Sequence, residues 1–298
     1  MSNFDEITAR KENKERKTMS QTERREEWQK QVDAAAQKAV SSIDEFLKYL
    51  DVQSRFERYS ANNDLLIYAQ RPDATRLKSM ELWNKDKLWV REGAKAVYIY
   101  ELQNNTKGDK TYKNLVRKPM FDISDVKDAV PEKREMPDVK AVTKAMFDSK
   151  TVEIRTVPDY PDTRQFGATY EVQDNCIYAR ANMPIEQIFT DVAMALSQAR
   201  MAENNPDYTN ASKQFEARCS AYILAKKYGV PTAKLQIDSL PSQLASMTPK
   251  DLHEVFDDIN KNVRTIESGI YKELAKAREA KETEVSPKAK SPKGDDAR

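Results

Sequence analysis

From Thr22 to about Leu50, apolar residues recur at three- and four-residue steps: Trp28, Val32, Ala35, Ala39, Ile43, Phe46, Leu47 and Leu50. That spacing puts them on one face and predicts an amphipathic helical region. A second helical stretch follows through Phe56 and Tyr59. In YSANNDLLIYAQRPDAT, Asn62 or Asn63 is expected to cap a short helix that stops before Pro72. The period then changes. LWVREGAKAVYIYELQ alternates, NNTKGDK supplies turn chemistry and TYKNLVRKPMFDIS returns, which predicts antiparallel strands across 88–123 joined by a polar loop. Within it, residues 88–91 put Trp89 and Arg91 on one face and Leu88 and Val90 on the other.

Residues 126–140 carry two prolines and mixed charge without periodicity, and read as a linker. Beyond them TVEIRTV and ATYEVQDNCIYAR predict strands. Helices are expected at 184–202, at 211–228 before Pro231, and at about 249–279. Residues 1–21 lack periodicity, and the end repeats Ser-Pro-Lys, so both termini are expected to be disordered. The chain thus divides into 1–21, a first domain over 22–125, a linker at 126–140, a second domain over 141–280 and a tail at 281–298. The fold class is α+β.

With 298 residues the chain is long enough for two modest domains. Fifty basic against 48 acidic residues leave a formal charge of +2, so any nucleic-acid surface has to arise from local segregation of charge. The two cysteines, Cys176 and Cys219, fit a reducing compartment better than a disulfide framework. A charged start without an apolar stretch argues against a signal peptide, and no run approaches the length of a membrane span, so a cytoplasmic protein without membrane association is expected. No P-loop is present, and six glycines leave no phosphate-cradling loop.

Two phrases carry chemistry. The first is FERYSANNDLLIYAQRPDATRLKSMELWNKDKLWVREGAKAVYIY. Its Tyr59-Ser60, Asn63, Leu65–Ile67, Gln70, Pro72, Ala74-Thr75, Ser79 and Trp83, then Val90, Gly93, Lys95 and Ile99, and finally Phe121-Asp122-Ile123-Ser124, resemble the N-terminal domain of ArdC-type antirestriction and LtrC-like proteins. The resemblance implies a single-stranded-DNA-binding domain fused to a zincin-like one. The residue types agree in part, because single strands are held by aromatic platforms flanked by cations. Arg55, Arg58, Tyr59, Asn62, Asn63, Arg76, Trp83, Lys87, Trp89, Arg91 and Lys95 are the candidates for contact with DNA. For Trp83, Tyr68 and Tyr98 the core is favoured over the platform, since buried aromatics are common.

The second phrase, IEQIFTDVAMALSQA at 185–199, resembles a metallopeptidase zinc helix stripped of its chemistry. Such a helix binds metal through imidazoles at i and i+4 and moves a proton with the carboxylate between them. Here Met194, Ala195 and Gln198 occupy those positions, while His253, the chain's single histidine, lies far off in sequence and is expected to be exposed. Glu216 matches a third ligand of the family and is expected to pair with Arg218 or Arg200 or to be solvated. Ile185, Ile188, Phe189, Val192, Leu196 and Ala199 keep an apolar stripe, so the scaffold reads as retained. The resemblance therefore implies a pseudo-metallopeptidase, non-catalytic and without cofactor or metal.

The function expected is a single-stranded-DNA-binding accessory protein of a mobile element or phage that protects DNA from host defence. Residues 1–130 alone are expected to bind single strands. The alternative is an inhibitor whose pseudo-zincin domain binds a host defence protein through an apolar groove around Met194.

Overall fold

Ser20 and Ser42 divide the first apolar stripe. Ser20 forms a reciprocal capping box with Glu23 at the start of α1 (Gln21–Ala39), and Ser42 accepts from the Glu45 amide at 3.2 Å to open α2 (Ile43–Arg55). One continuous helical stripe was expected, but two helices form, because a serine hydroxyl takes up amides that a continuing helix would bond internally. Ser60, rather than Asn62 or Asn63, caps α3 (Ala61–Gln70). Ser79 does the same for α4 (Met80–Lys85).

The computed structural model describes residues 19–56, 58–107, 110–130, 136–149, 151–158, 167–203 and 205–285. The expected disorder at 1–18 and 286–298, and the middle of the expected linker at 131–135, lie outside them. Residues 281–285, assigned to the tail by sequence, continue the last helix.

The first sheet has the order β1-β3-β2, with β1 at Leu77–Lys78, β2 at Val97–Lys107 and β3 at Lys110–Asp122, all antiparallel. The pairing runs from Val97↔Met120 to Lys107↔Lys110, so NNTK of the expected polar loop is strand. Its inner half is buried at Val97, Ile99 and Tyr100, while Leu102 and Tyr112 in the outer half are exposed. Residues 88–91, expected as a strand, form only an isolated bridge, Val90↔Val126. Gly93 at φ 78° makes the turn that follows.

Helix α5 (Val139–Asp148), capped by Asp138, begins in the last two residues of the expected linker and runs on into the expected second domain. Strands β4 (Glu153–Val157), β5 (Ala168–Glu171) and β6 (Cys176–Arg180) form a second sheet of order β4-β6-β5, parallel between β4 and β6. Helices α6 (Ile185–Ala202) and α7 (Gln214–Lys227) pack on it and on each other, and α8 (Pro249–Val285) closes the fold. The architecture is α+β, as expected.

Helix α8 runs 37 residues and touches helices of both halves. Leu252, Val255, Phe256, Ile259, Val263, Ile266 and Ile270 supply its buried stripe. One hydrophobic cluster runs from Val32 on α1 to Ile270 on α8. The partition at 126–140 is therefore a partition of the chain, while the core is continuous across it. Polar links cross as well. The Asn260 amide donates to Asp64 at 3.2 Å; within the second half, the buried Lys227 ammonium, its pKa lowered by burial, pairs with Glu267. His253, expected to be exposed, is largely covered and meets Asp33 of α1 at 2.7 Å.

Candidate nucleic-acid interface

The eleven candidates for DNA contact separate into two sets. Asn63 is buried, and its amide grips the edge of β2: Nδ2 donates to the Tyr100 carbonyl at 2.9 Å and Oδ1 accepts from the Tyr100 amide at 2.9 Å. Seven residues on, Gln70 repeats the grip on Tyr98, again at 2.9 Å in both directions. Two side chains of one helix thus satisfy an edge strand that would otherwise present open amides and carbonyls. Arg55 is spent likewise, its Nε donating to the Ala74 carbonyl at 2.8 Å and its Nη2 to that of Pro72.

Trp83 is the plainest correction. It is 1% exposed, its indole donates to the Phe121 carbonyl at 3.0 Å, and it forms a small core with Phe121, Ile123 and Val126. Lys78 and Arg76 lie over its ring at 4.9 and 5.8 Å, so no base can stack there. Tyr68 is likewise core. Tyr98 is half-buried with the Arg117 guanidinium against its ring. Tyr59 is half-buried against Phe56, and burial pushes its phenol up to about 12.

The second set faces solvent: Arg58, Arg76, Lys87, Trp89, Arg91 and Lys95 are exposed, and Asn62 is half-exposed. Trp89 is 61% exposed, with Leu88 and Val90 turned onto the Trp83 cluster. Alternation thus sorts the faces correctly although the strand shrinks to one bridge. The bridge is held by the Arg91 amide on the Asp125 carbonyl and the Lys127 amide on the Trp89 carbonyl, both at 2.8 Å. Exposed Lys127 therefore runs beside Trp89, a neighbour that sequence distance hides. Sequence reasoning also missed a groove of about 770 Å³ between α1, the start of α3 and the hairpin, lined by Arg25, Trp28, Asn62, Tyr100 and Leu102. Trp28 and Tyr100 meet there with ring centroids 6.4 Å apart. An aromatic pair beside an arginine, contributed by a helix and a strand about 70 residues apart in sequence, has no signature in a linear pattern.

The four residues read from sequence as a degenerate zinc set are all buried. Met194, Ala195 and Gln198 lie on α6, a helix covered on nearly every side from Ile188 to Gln198. Glu216 accepts from Lys213 at 3.0 Å, whereas Arg218 or Arg200 was the expected partner. Arg200 pairs with Glu203 instead. A thioether, a methyl, an amide and a lysine-bound carboxylate do not fit a zinc ion, and among the described residues no three His, Cys, Asp or Glu side chains gather in a metal-binding group. The space beside Met194 is a cleft of about 560 Å³ lined by Arg180, Gln187, Asp191, Arg218 and Lys234. The groove expected there was apolar; its described lining mixes Met183, Met194 and Leu235 with the charged Arg180, Asp191, Arg218 and Lys234. Cys176 and Cys219 are both buried as free thiols.

Residues 9–145 match the family model described as the N-terminal domain of anti-restriction factor ArdC. The chain carries an ArdC-type N-terminal domain. Two crystal structures of the antirestriction protein ArdC from plasmid R388, one metal-free and one Mn(II)-bound, are each 14% identical to the chain. They cover 72% and 73% of it and 86% and 85% of their own chains, with TM-scores of 0.46 and 0.48. No curated protein matches. Within the ArdC-type domain, the residues that carry the resemblance mostly build the fold: Ser60 caps, Asn63 and Gln70 clamp, and the Thr75 amide donates to Asp122 at 3.1 Å.

Proposed function

We propose that the chain is a non-catalytic accessory protein of a mobile element or phage that binds single-stranded DNA through its ArdC-type domain and shields that DNA from host defence. The observation that carries this reading is Trp89. It is 61% exposed on a bridge fixed at both ends, with Arg91 and Lys127 beside it. A rigid aromatic face flanked by cations offers a base its stacking partner and the neighbouring phosphates their counter-charges. The C-terminal half is read as a zincin-like scaffold without peptidase chemistry, on the loss of both imidazoles and the base at Met194, Gln198 and Ala195. A host defence protein as chief partner is less well supported, because charged residues share the lining of the cleft at Met194 with apolar ones.

The test is fluorescence anisotropy of labelled oligonucleotides with the full chain. Single strands should bind more tightly than duplex, with affinity falling as salt rises. Trp89→Ala should remove about 1–3 kcal/mol of binding, the usual worth of one stacked base, with melting temperature nearly unchanged. Arg91→Ala should flatten the salt dependence by about one unit. Equal affinity for duplex, or no binding at low salt, overturns the reading.

A further inference from the structure

The hairpin of β2 and β3 has two long edges, and the chain treats them differently. Successive residues of a strand point their amides and carbonyls to opposite sides. Tyr98 and Tyr100 turn theirs away from β3, to Gln70 and Asn63, so Leu102, Asn104 and Thr106 turn theirs the same way. There the clamp of α3 has ended, and no described residue bonds to that stretch of edge. The β3 edge, by contrast, carries the usual guards against pairing with another chain. Lys113, Arg117 and Pro119 lie along it, and Arg25 donates to the Lys113 carbonyl at 3.3 Å. The run Leu102-Gln103-Asn104-Asn105-Thr106 on β2 holds neither charge nor proline, and Leu102 is 61% exposed.

We infer that two copies of this chain pair edge to edge through β2, antiparallel and centred on Asn104. A two-fold axis makes one strand its own complement, residue by residue. The window is fixed at both ends: α3 holds the edge at Tyr100, and the strand ends at Lys107. Its centre is Asn104, which faces Asn104 of the second copy. No pair in that register sets like charges against each other: Leu102 meets Thr106, Gln103 meets Asn105, and Glu101 meets Lys107. Because the β3 edge is guarded, pairing through this sheet closes at two copies. The interface does not depend on Trp89 or on DNA.

Sedimentation velocity of the full chain across micromolar concentrations reads the pairing, and a reversible monomer–dimer equilibrium is expected. Asn104→Pro removes an outward amide from each copy and leaves the ladder to β3 intact. It should weaken the dimer about ten-fold or more, since the axis counts the lost hydrogen bond twice. An unchanged melting temperature for the variant separates lost pairing from a lost hairpin. A second measurement reads the register. Asn104→Cys puts a thiol on the axis, where a short bifunctional maleimide should join two copies. Lys276→Cys, exposed far along α8, should not be joined, and the native Cys176 and Cys219 are buried. A chain that stays monomeric at every concentration, a dimer that Asn104→Pro leaves unchanged, or no cross-link at Asn104→Cys overturns the inference.

Discussion

At the scale of single residues, Asp191 shows how burial converts one side chain into a pH-dependent element. The residue is 8% exposed, and desolvation lifts its pKa to about 6, against which the Gly167 amide, the Gln187 side chain and the charge of Lys234 pull down. A folded pKa above the unfolded one means that the folded state holds the proton more tightly. Its contribution is therefore fully present below about pH 4 and lost as pH rises through about 6. The two-unit displacement bounds the effect at roughly 2–3 kcal/mol. Asp191→Asn keeps an oxygen for the Gly167 amide and removes the charge. The variant should gain stability relative to the parent at pH 7.5 and show little gain at pH 4, in denaturant melts at both values. Parallel stability curves across that range would mean that Asp191 keeps its charge on folding without penalty.

At the scale of elements, the contact of α3 with β2 is the feature that best explains the ArdC-type phrase. Asn63 and Gln70 stand seven residues apart, two turns along one helix face, and each completes both hydrogen bonds of one residue in the strand. Asn63→Ala strands a buried amide and carbonyl at Tyr100, and should cost about 2–3 kcal/mol. Gln70 is exposed, and water can replace it, so Gln70→Ala should cost about 1 kcal/mol or less. Urea melts, with amide exchange at Tyr98 and Tyr100 as the local readout, distinguish the two; equal small losses would reduce the clamp to incidental contact. The same elements show what could be read in the sequence. Alternation sorted Trp89 from Val90, and period three-to-four found α6, α7 and most of α8. The break at Ser42 was overrun because α1 and α2 share one stripe. Val139 and Lys140 were taken as linker and the rest of Val139–Asp148 was given no element, because its apolar pattern is short and the prolines and charges before it carry no period. Trp83 and Trp89 lie six residues apart with similar neighbours; only the fold puts one beneath Lys78 and the other in solvent. The cleft beside Met194 likewise joins positions 180, 218 and 234, which no window spans.

At the scale of the molecule, the halves share one core. Phe46 of α2 lies with its ring centroid 5.4 Å from Phe215 and 6.3 Å from Phe256, and Tyr49 sits 4.8 Å from Phe256, edge to face. Phe46, Tyr49 and Leu50 are wholly buried, in part by helices that begin after residue 210. The Asp51 carboxylate accepts from the Tyr222 hydroxyl at 2.9 Å and from Lys226 at 3.1 Å, which adds a polar seam to the apolar one. A fragment ending at residue 130 would therefore expose an aromatic patch and lose the cover of α7 and α8. The ArdC-type segment is contiguous in sequence, yet its second helix depends on the other end of the chain. The full chain should melt in a single cooperative transition, followed by circular dichroism and by tryptophan fluorescence, with coincident midpoints. The 1–130 fragment should show no cooperative transition, and its DNA binding should fall well below that of the full chain. A fragment that melts cooperatively near the midpoint of the full chain would show that the shared core is dispensable. In that case α8 would be a surface strap across two independent units, and the contacts of Phe46 with Phe215 and Phe256 would contribute little to folding.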